Sequence, residues 1–143
     1  MQLFLQERKF VNIYDKENNL LGCHIVNGDI PDGKNFITDS NNSFQIGTFG
    51  LPENSSIENH VHNKYERKIN ITSEVLFVIK GKIKVNFFDD NFQLVNEVIV
   101  NQNETIAMFG GGHGIEVLEE TKFIEIKQGP YDDQLDKRYF SVD

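Results

Sequence analysis

Apolar and polar residues alternate along much of the chain with the period of β-strands. Residues 44–49 and 83–87 alternate from one position to the next, which predicts strands with one buried face. Residues 75–80 contain a nearly continuous apolar run, Val-Leu-Phe-Val-Ile, ended by Lys-Gly-Lys, which predicts a buried strand. Four more short strands are expected at 98–100, 105–109, 115–118 and 123–126. Because no apolar stripe of helical period extends over three turns, this spacing predicts an all-β sandwich or barrel.

Turn residues separate these predicted strands. Gly81 is expected to form a tight hairpin between two of them, and residues 89–91 (Asp-Asp-Asn) to form the next turn. Residues 15–19 and 27–43 are rich in Asp, Asn, Gly and Pro and are expected to be loops. The polar segment 63–70 is compatible with a loop or with one helical turn.

Composition narrows the class of protein. The chain has 143 residues, which suits a single domain, and its formal net charge of −8 disfavours nucleic acid as a partner. It has no apolar run long enough to span a membrane, and its first residues lack the pattern of a signal peptide. The single cysteine, Cys23, excludes an intrachain disulfide. We therefore expect a cytoplasmic protein without a membrane partner.

The histidines are the strongest chemical signal. The chain has only four, and two of them form His60-Val61-His62. On a strand, residues two positions apart point to the same face, so both rings can reach one point. His113 follows three glycines, which let the backbone approach closely and aim the ring inward. Since imidazole is the commonest metal-ligating side chain, the three rings predict a site for one divalent metal ion, with His24 left outside.

The segments that contain these histidines resemble the motifs of the cupin family. The first cupin motif is a Gly, five residues, His-x-His, three or four residues, Glu, six residues and Gly. Here the His60–His62 pair is followed by Glu74 and, after six residues, by Gly81. The second cupin motif is Gly-Asp, a short apolar strand and Pro-x-Gly-x-x-His, and residues 103–113 have the same shape.

The sequence departs from both motifs. Eleven residues separate His62 from Glu74, and nine residues separate Gly50 from His60. In the second motif Asn-Glu replaces Gly-Asp, Phe109 replaces Pro, and the motif is one residue shorter. Two carboxylates therefore remain open as the fourth metal ligand. Glu66 has the His-x-His-x3-Glu spacing, whereas Glu74 opens a strand and is followed by the turn glycine, which favours Glu74.

The resemblance implies a fold and an assembly. The fold is a double-stranded β-helix, the jelly-roll barrel of cupins, as one domain over residues 1–143. Its core covers about 44–128, with flanking N-terminal strands and a C-terminal cover. The metal ion (Fe, Mn, Ni or Zn) is held by His60, His62, Glu74 and His113. Many small cupins are homodimers that pair or exchange N-terminal strands, and the apolar residues 3–5 (Leu-Phe-Leu) fit such a role.

The C-terminal region supplies further candidates. Its Gly-Gly-His-Gly and Lys-Gln-Gly-Pro-Tyr patterns resemble a group of uncharacterised bacterial cupins that we associate with carbohydrate biosynthesis at the cell surface. From the strand period, Gln128 is expected to enter the mouth of the barrel and Lys127 to lie outside. Tyr131 and Tyr139 are candidates to close the barrel or to donate a proton to a ligand in it.

Three classes of function follow from the resemblance. The first is a metal-dependent enzyme, of isomerase or oxygenase type, acting on a small polar or carbohydrate-derived molecule, with Glu74 as a ligand or base. The second is a metal-free sugar-nucleotide isomerase or epimerase, with His60 or His62 as base and Tyr131 or Tyr139 as acid. The third is a cupin that binds a small molecule without turnover.

Overall fold

A computed structural model describes residues 10–26 and 30–142 of the chain. Within these ranges the chain forms ten strands and no helix, which confirms an all-β protein with antiparallel sheets. The described residues accordingly include no helix with the length and apolar character needed to cross a membrane. The predicted strand over residues 3–5 lies outside them. The strands are β1 (Phe10–Tyr14), β2 (Leu20–Ile25), β3 (Gly33–Phe36), β4 (Gly47–Gly50), β5 (Glu74–Lys80), β6 (Lys82–Phe88), β7 (Leu94–Asn101), β8 (Thr105–Met108), β9 (Gly112–Val117) and β10 (Lys122–Lys127).

The chain divides into two compact units. The first unit comprises residues 1–29 and 71–143, and the second comprises residues 30–70. The single domain expected from the sequence stays a prediction.

The first unit contains two antiparallel sheets. One has five strands in the order β1-β2-β8-β5-β10, and the other has three in the order β7-β6-β9. Side chains from both sheets share one hydrophobic core, in which the largest fully buried member is Phe87. Ile13 and Leu21 belong to this core, so the N-terminal strands are part of it. Burial of such side chains contributes roughly 1.5–3 kcal/mol each to stability.

The second unit contains a short hairpin and a long segment without regular structure. β3 pairs antiparallel with β4, and the Thr38 hydroxyl donates to the side-chain oxygen of Gln45 at 2.9 Å. The predicted loop over 27–43 is therefore wrong where β3 lies. Its sequence, Gly-Lys-Asn-Phe, lacks apolar alternation, and the strand exists because its backbone pairs with β4. Residues 51–70 are exposed and form neither strand nor helix.

The hairpin expected at Gly81 is wrong. β5 pairs with β8 and β10, whereas the following strand, β6, pairs with β7 and β9, so the chain changes sheets at this glycine. Gly81 has a φ of +90°, and a Cβ there would lie 2.4 Å from the carbonyl oxygen of Glu120. The local pattern predicts a turn at this position but does not specify the strand partner, because the backbone donors and acceptors of one strand can pair with those of any other.

The turn predicted at residues 89–91 is confirmed. The carboxylate of Asp89 accepts hydrogen bonds from the backbone N–H groups of Asn91 and Gln93, both at 2.9 Å. This turn joins β6 to β7, and Phe92 within it has a φ of +62°. It brings Asp89, Asp90 and Phe92 to the wall of a cavity in the first unit.

Candidate functional site

The first unit contains a cavity of about 840 Å³ beside two sheet edges. β9 is an edge strand of the three-stranded sheet and β10 is an edge strand of the five-stranded sheet, and both contribute residues to the cavity wall. The turn after β6 and the C-terminal residues 136–140 form further parts of the wall. A volume of this size accommodates a small organic molecule.

Glu74 lies in the wall of this cavity at the start of β5. Its side chain shares a face with Leu76 and Val78, which are fully buried, so the start of β5 faces the interior. Glu74 itself is only 7% exposed. A carboxylate at such a depth requires partners for its charge.

His113 provides the main partner of Glu74. It lies on β9 opposite Phe87 of the core, and its Nε2 atom is 3.2 Å from Oε2 of Glu74. Of the three preceding glycines, Gly111 has a φ of +66°, and a Cβ on it would lie 2.2 Å from the backbone oxygen of Phe88. The backbone therefore approaches β6 closely just before His113, as the glycine run predicts.

The surroundings of Glu74 keep its side chain ionised. The hydrogen bond from His113 lowers the pKa of this carboxyl group below its ordinary value, burial opposes that shift, and the charges of His113, Lys127 and Lys137 add to it. Glu74 is consequently a carboxylate at neutral pH. In this form it can accept a proton or ligate a cation, and it has no proton to donate.

Lys127 is the residue that sequence reasoning misplaced. It pairs with Glu74 across β10 and β5, and its Nζ atom lies 3.7 Å from Oε1 of Glu74. The prediction that Lys127 lies outside is therefore wrong, because residues directly opposite in an antiparallel pair project to the same face. The position of Lys127 follows from the register between β10 and β5, which the alternation of apolar and polar residues in one strand does not provide. Gln128 instead accepts a hydrogen bond from the backbone N–H of Ser73 at 2.7 Å.

The other predicted histidines belong to the second unit. His60 and His62 lie in the segment 51–70, which is not a strand, so the strand geometry expected for them is wrong. Their rings are nevertheless neighbours, with centroids 5.2 Å apart in an edge-on arrangement, and Nδ1 of His60 is 2.8 Å from the carbonyl oxygen of Glu58. Glu66, the alternative carboxylate, lies exposed in the same segment.

The two tyrosines have different positions in the first unit. Tyr139 lines the cavity and is 90% exposed, so its hydroxyl is free to meet a ligand. Tyr131 lies beside Lys127, whose Nζ atom is 4.8 Å from the ring centroid. Close to Tyr139, the ring of Phe140 stacks on Phe92 at 4.6 Å. The C-terminal residues therefore form one wall of the cavity.

His24 and Cys23 have structural roles. Nε2 of His24 is 2.9 Å from Oε2 of Glu104, which also accepts the backbone N–H of Asn101 at 2.9 Å. Cys23 is completely buried, and burial raises the pKa of its thiol to about 11. A protonated, inaccessible thiol is a poor nucleophile.

The Glu74–His113 pair has the donor atoms that a divalent metal ion takes. Imidazole nitrogen and carboxylate oxygen both bind such ions at about 2.1 Å, which places two adjacent ligands about 3.0–3.4 Å apart. The separation of 3.2 Å lies in this range. Among the described residues of each unit, however, no group of three or more His, Cys, Asp or Glu side chains is arranged to hold an ion. The four-ligand set therefore stays a prediction.

The arrangement in the first unit is a carboxylate and an imidazole in contact, set in a cavity with aromatic and charged walls. This combination can hold a cation, move a proton or bind a polar ligand. Comparison of the chain with protein-family models, with curated proteins and with solved structures found no match.

Proposed function

We propose that this protein is a metal-binding cupin that takes a small polar or carbohydrate-derived molecule in the cavity of the first unit. The supporting observation is the contact between Glu74 and His113 in the cavity wall. These residues lie far apart in the sequence, and the resemblance assigns both of them to one metal ion. His60 and His62 are proposed as the other two ligands.

The sheets of the first unit support a jelly-roll architecture. Two antiparallel sheets share one core, and the chain passes from one sheet to the other between β5 and β6 and again between β7 and β8. Such crossings between sheets are a feature of double-sheet β folds. The cupin barrel is the specific form of this architecture that we propose.

The walls of the cavity support a carbohydrate-derived ligand. Tyr139 and Phe92 present aromatic rings, whereas Asp90 and Glu125 present carboxylates that can accept hydrogen bonds from hydroxyl groups. Sites for small molecules combine apolar surface with a few placed polar groups in this way.

The residues of the chain have defined tasks in this proposal. Glu74 and His113 hold the ion. When Glu74 does not bind the ion, it accepts a proton from the small-molecule ligand. Tyr139, which lines the same cavity, donates a hydrogen bond or a proton, and Tyr131 is a second candidate. A bound divalent ion would supply Lewis acidity toward a ligand oxygen.

Metal reconstitution tests the proposal. Protein prepared without a histidine tag is titrated with Fe²⁺, Mn²⁺, Ni²⁺ and Zn²⁺ and analysed for bound metal. We expect one ion per chain. The variants His60→Ala, His62→Ala, His113→Ala and Glu74→Gln should each lose at least about tenfold in metal affinity. Loss of a residue that only hydrogen-bonds to a ligand already costs about tenfold, and loss of the ligand itself should cost more. His24→Gln is the matched control, since His24 is the one histidine outside the proposed set.

Two results would count against this assignment. Metal content that stays far below one ion per chain after reconstitution would contradict a metal site, as would wild-type affinity in His113→Ala. A parallel Glu66→Gln variant decides between the two carboxylates. Only substitution of the carboxylate that binds the ion should lower the affinity for metal.

The Glu74–His113 contact also favours a second candidate, metal-free proton transfer. A histidine held by a carboxylate is a typical acid–base arrangement, and Tyr139 lies on the same cavity. In this alternative the ligand is a nucleotide sugar, and His113, held by Glu74, is the proposed base in place of the His60 or His62 expected from the sequence. Calorimetric binding of a nucleotide sugar that persists in the presence of a chelator would favour this candidate over the metal site.

A further inference from the structure

Lys127 has two acidic partners on different parts of the first unit. Its Nζ atom lies 3.7 Å from Oε1 of Glu74 and 3.4 Å from Oδ2 of Asp136. All three side chains are largely shielded from solvent, with exposed fractions of 18% for Lys127, 10% for Glu74 and 13% for Asp136. A shielded ammonium group depends on its partners, since removing one leaves charge uncompensated.

The two oxygens of Glu74 have different partners. Oε2 contacts His113 and Oε1 faces Lys127, at 3.2 Å and 3.7 Å respectively. Lys127 therefore helps to keep the plane of the carboxylate in the orientation that directs Oε2 toward His113.

Asp136 connects Lys127 to the C-terminal segment, defined here as residues 129–142. Its Oδ1 atom accepts a hydrogen bond from the Thr72 hydroxyl at 3.3 Å, and its backbone N–H donates to the carbonyl of Asp132 at 2.9 Å. Farther along the segment, Phe140 packs against Phe88 and Phe92. The segment is thus held at one end by the Asp136 contacts and at the other by aromatic packing.

We infer that Lys127 is a positioning residue that links Glu74 to the C-terminal segment, so that occupation of the cavity and docking of the segment are coupled. The inference about docking stands on the contacts of Lys127 alone. The part about occupation by a cation rests on the proposed function.

The direction of the coupling follows from charge balance. When a cation takes the charge of Glu74, Lys127 loses part of its interaction with Oε1 and keeps Asp136 as its main partner. The ion pair with Asp136 then strengthens, and the C-terminal segment becomes more firmly docked. Coupling between two sites is reciprocal in free energy, so a firmly docked segment also favours the occupied cavity.

Hydrogen exchange of peptides from residues 129–142 tests the inference without any ligand. We expect Lys127→Met and Asp136→Asn each to increase the exchange rate in this segment by about fivefold or more. The double variant should exchange at nearly the same rate as either single variant, because both substitutions break the same ion pair. Lys127→Arg should retain most of the protection because it keeps the charge. Lys122→Met is the matched control, since Lys122 is an exposed lysine on the same strand.

The outcome separates a specific link from general loss of structure. Exchange in β5 and β8 should be unchanged in the variants, which shows that the sheet is intact. Wild-type exchange in both Lys127→Met and Asp136→Asn would overturn the inference, as would an equal increase in Lys122→Met.

A second arm adds Zn²⁺ as the probe. In the wild-type protein, Zn²⁺ should slow exchange in residues 129–142 by about fivefold, and this slowing should be absent in Lys127→Met even at saturating Zn²⁺. Equal slowing in both proteins would overturn the coupling. If the wild-type protein binds no Zn²⁺ or other divalent ion, the proposed function fails, and the ligand-free comparison still decides whether Lys127 links Glu74 to the segment.

Discussion

At the scale of single residues, the three glycines before His113 have unequal importance. Gly111 has a φ of +66°, and a Cβ on it would lie 2.2 Å from the backbone oxygen of Phe88. A Cβ on Gly110 would meet only the end of the Ile71 side chain, at 3.6 Å. A Cβ on Gly112 would lie 2.9 Å from the ring of Phe140. Backbone constraint is thus concentrated at Gly111.

This difference predicts distinct stabilities for two alanine variants. Gly111→Ala should lower the free energy of unfolding by about 1–3 kcal/mol, because it combines a left-handed backbone with a contact that the main chain must relieve. Gly110→Ala should change it by less than about 0.5 kcal/mol. Urea denaturation measures both, and equal losses would contradict the constraint assigned to Gly111.

The burial of Cys23 predicts its reactivity and a pH effect. The thiol should resist alkylation at pH 8 in the native protein and react fully in denaturant, as mass spectrometry can show.

The pKa of the Cys23 thiol is raised to about 11 in the folded state from an ordinary value of 9.0. The folded state therefore binds this proton more tightly, so the associated stability is present below pH 9 and is lost as the pH rises toward 11. Cys23→Ala should remove this part of the pH dependence.

At the scale of elements, Glu104 joins β2 to the turn that precedes β8. Its carboxylate contacts Nε2 of His24 on β2 and accepts the backbone N–H of Asn101, while only 4% of the residue is exposed. In contrast, Glu120 pairs with Lys80 on the surface, with 79% of its side chain exposed. The chain therefore offers a buried and an exposed carboxylate for comparison.

We expect these two carboxylates to differ in their effect on stability. Glu104→Ala should cost about 2–4 kcal/mol, because it leaves buried donors without an acceptor. Glu120→Ala should cost less than about 1 kcal/mol, as is usual for surface ion pairs. Thermal or urea unfolding of the two variants measures the difference, and a cost for Glu104→Ala as small as that for Glu120→Ala would refute the role assigned to Glu104.

At the scale of the whole molecule, the segment 51–70 contrasts with the sheets of the first unit. Every residue in it is exposed, and it contains neither strand nor helix, although it carries the His60–His62 pair. Such a segment is accessible to proteases, whereas paired strands are not.

Limited proteolysis tests this contrast. Trypsin should cut first after Lys64, Arg67 and Lys68, well before it cuts within β5 or β6. N-terminal sequencing or mass spectrometry of the fragments identifies the sites. Metal should slow these cuts if His60 and His62 bind it, whereas protection of the metal-free protein would indicate that another surface, such as that of the expected homodimer partner, covers the segment.

The sequence alone determined the strand content and the identity of several key residues. Local patterns of apolar residues identified the strands from β5 to β10, with a continuous apolar run for β5 and period-2 alternation for β6, because burial imposes such patterns on each strand separately. The same local reasoning identified Glu74 as the buried start of β5 and Gly111 as part of a close backbone approach. Alternation did not predict β1 and β2, which the resemblance implied only as flanking N-terminal strands, or β3, which has no apolar alternation.

Only the tertiary structure decided which strands pair and which side chains meet. The chain changes sheets at Gly81, Lys127 lies opposite Glu74, and residues 136–140 line the cavity, and each of these features depends on contacts between segments distant in sequence. Strand period does not identify the partner strand, because nearly every residue offers the same backbone donor and acceptor, and a register shift of two residues leaves the same side chains facing the core. The physical limit of the sequence pattern is therefore contact between distant segments: strand pairing brings Lys127 beside Glu74, and packing of the two sheets brings His113 to Glu74.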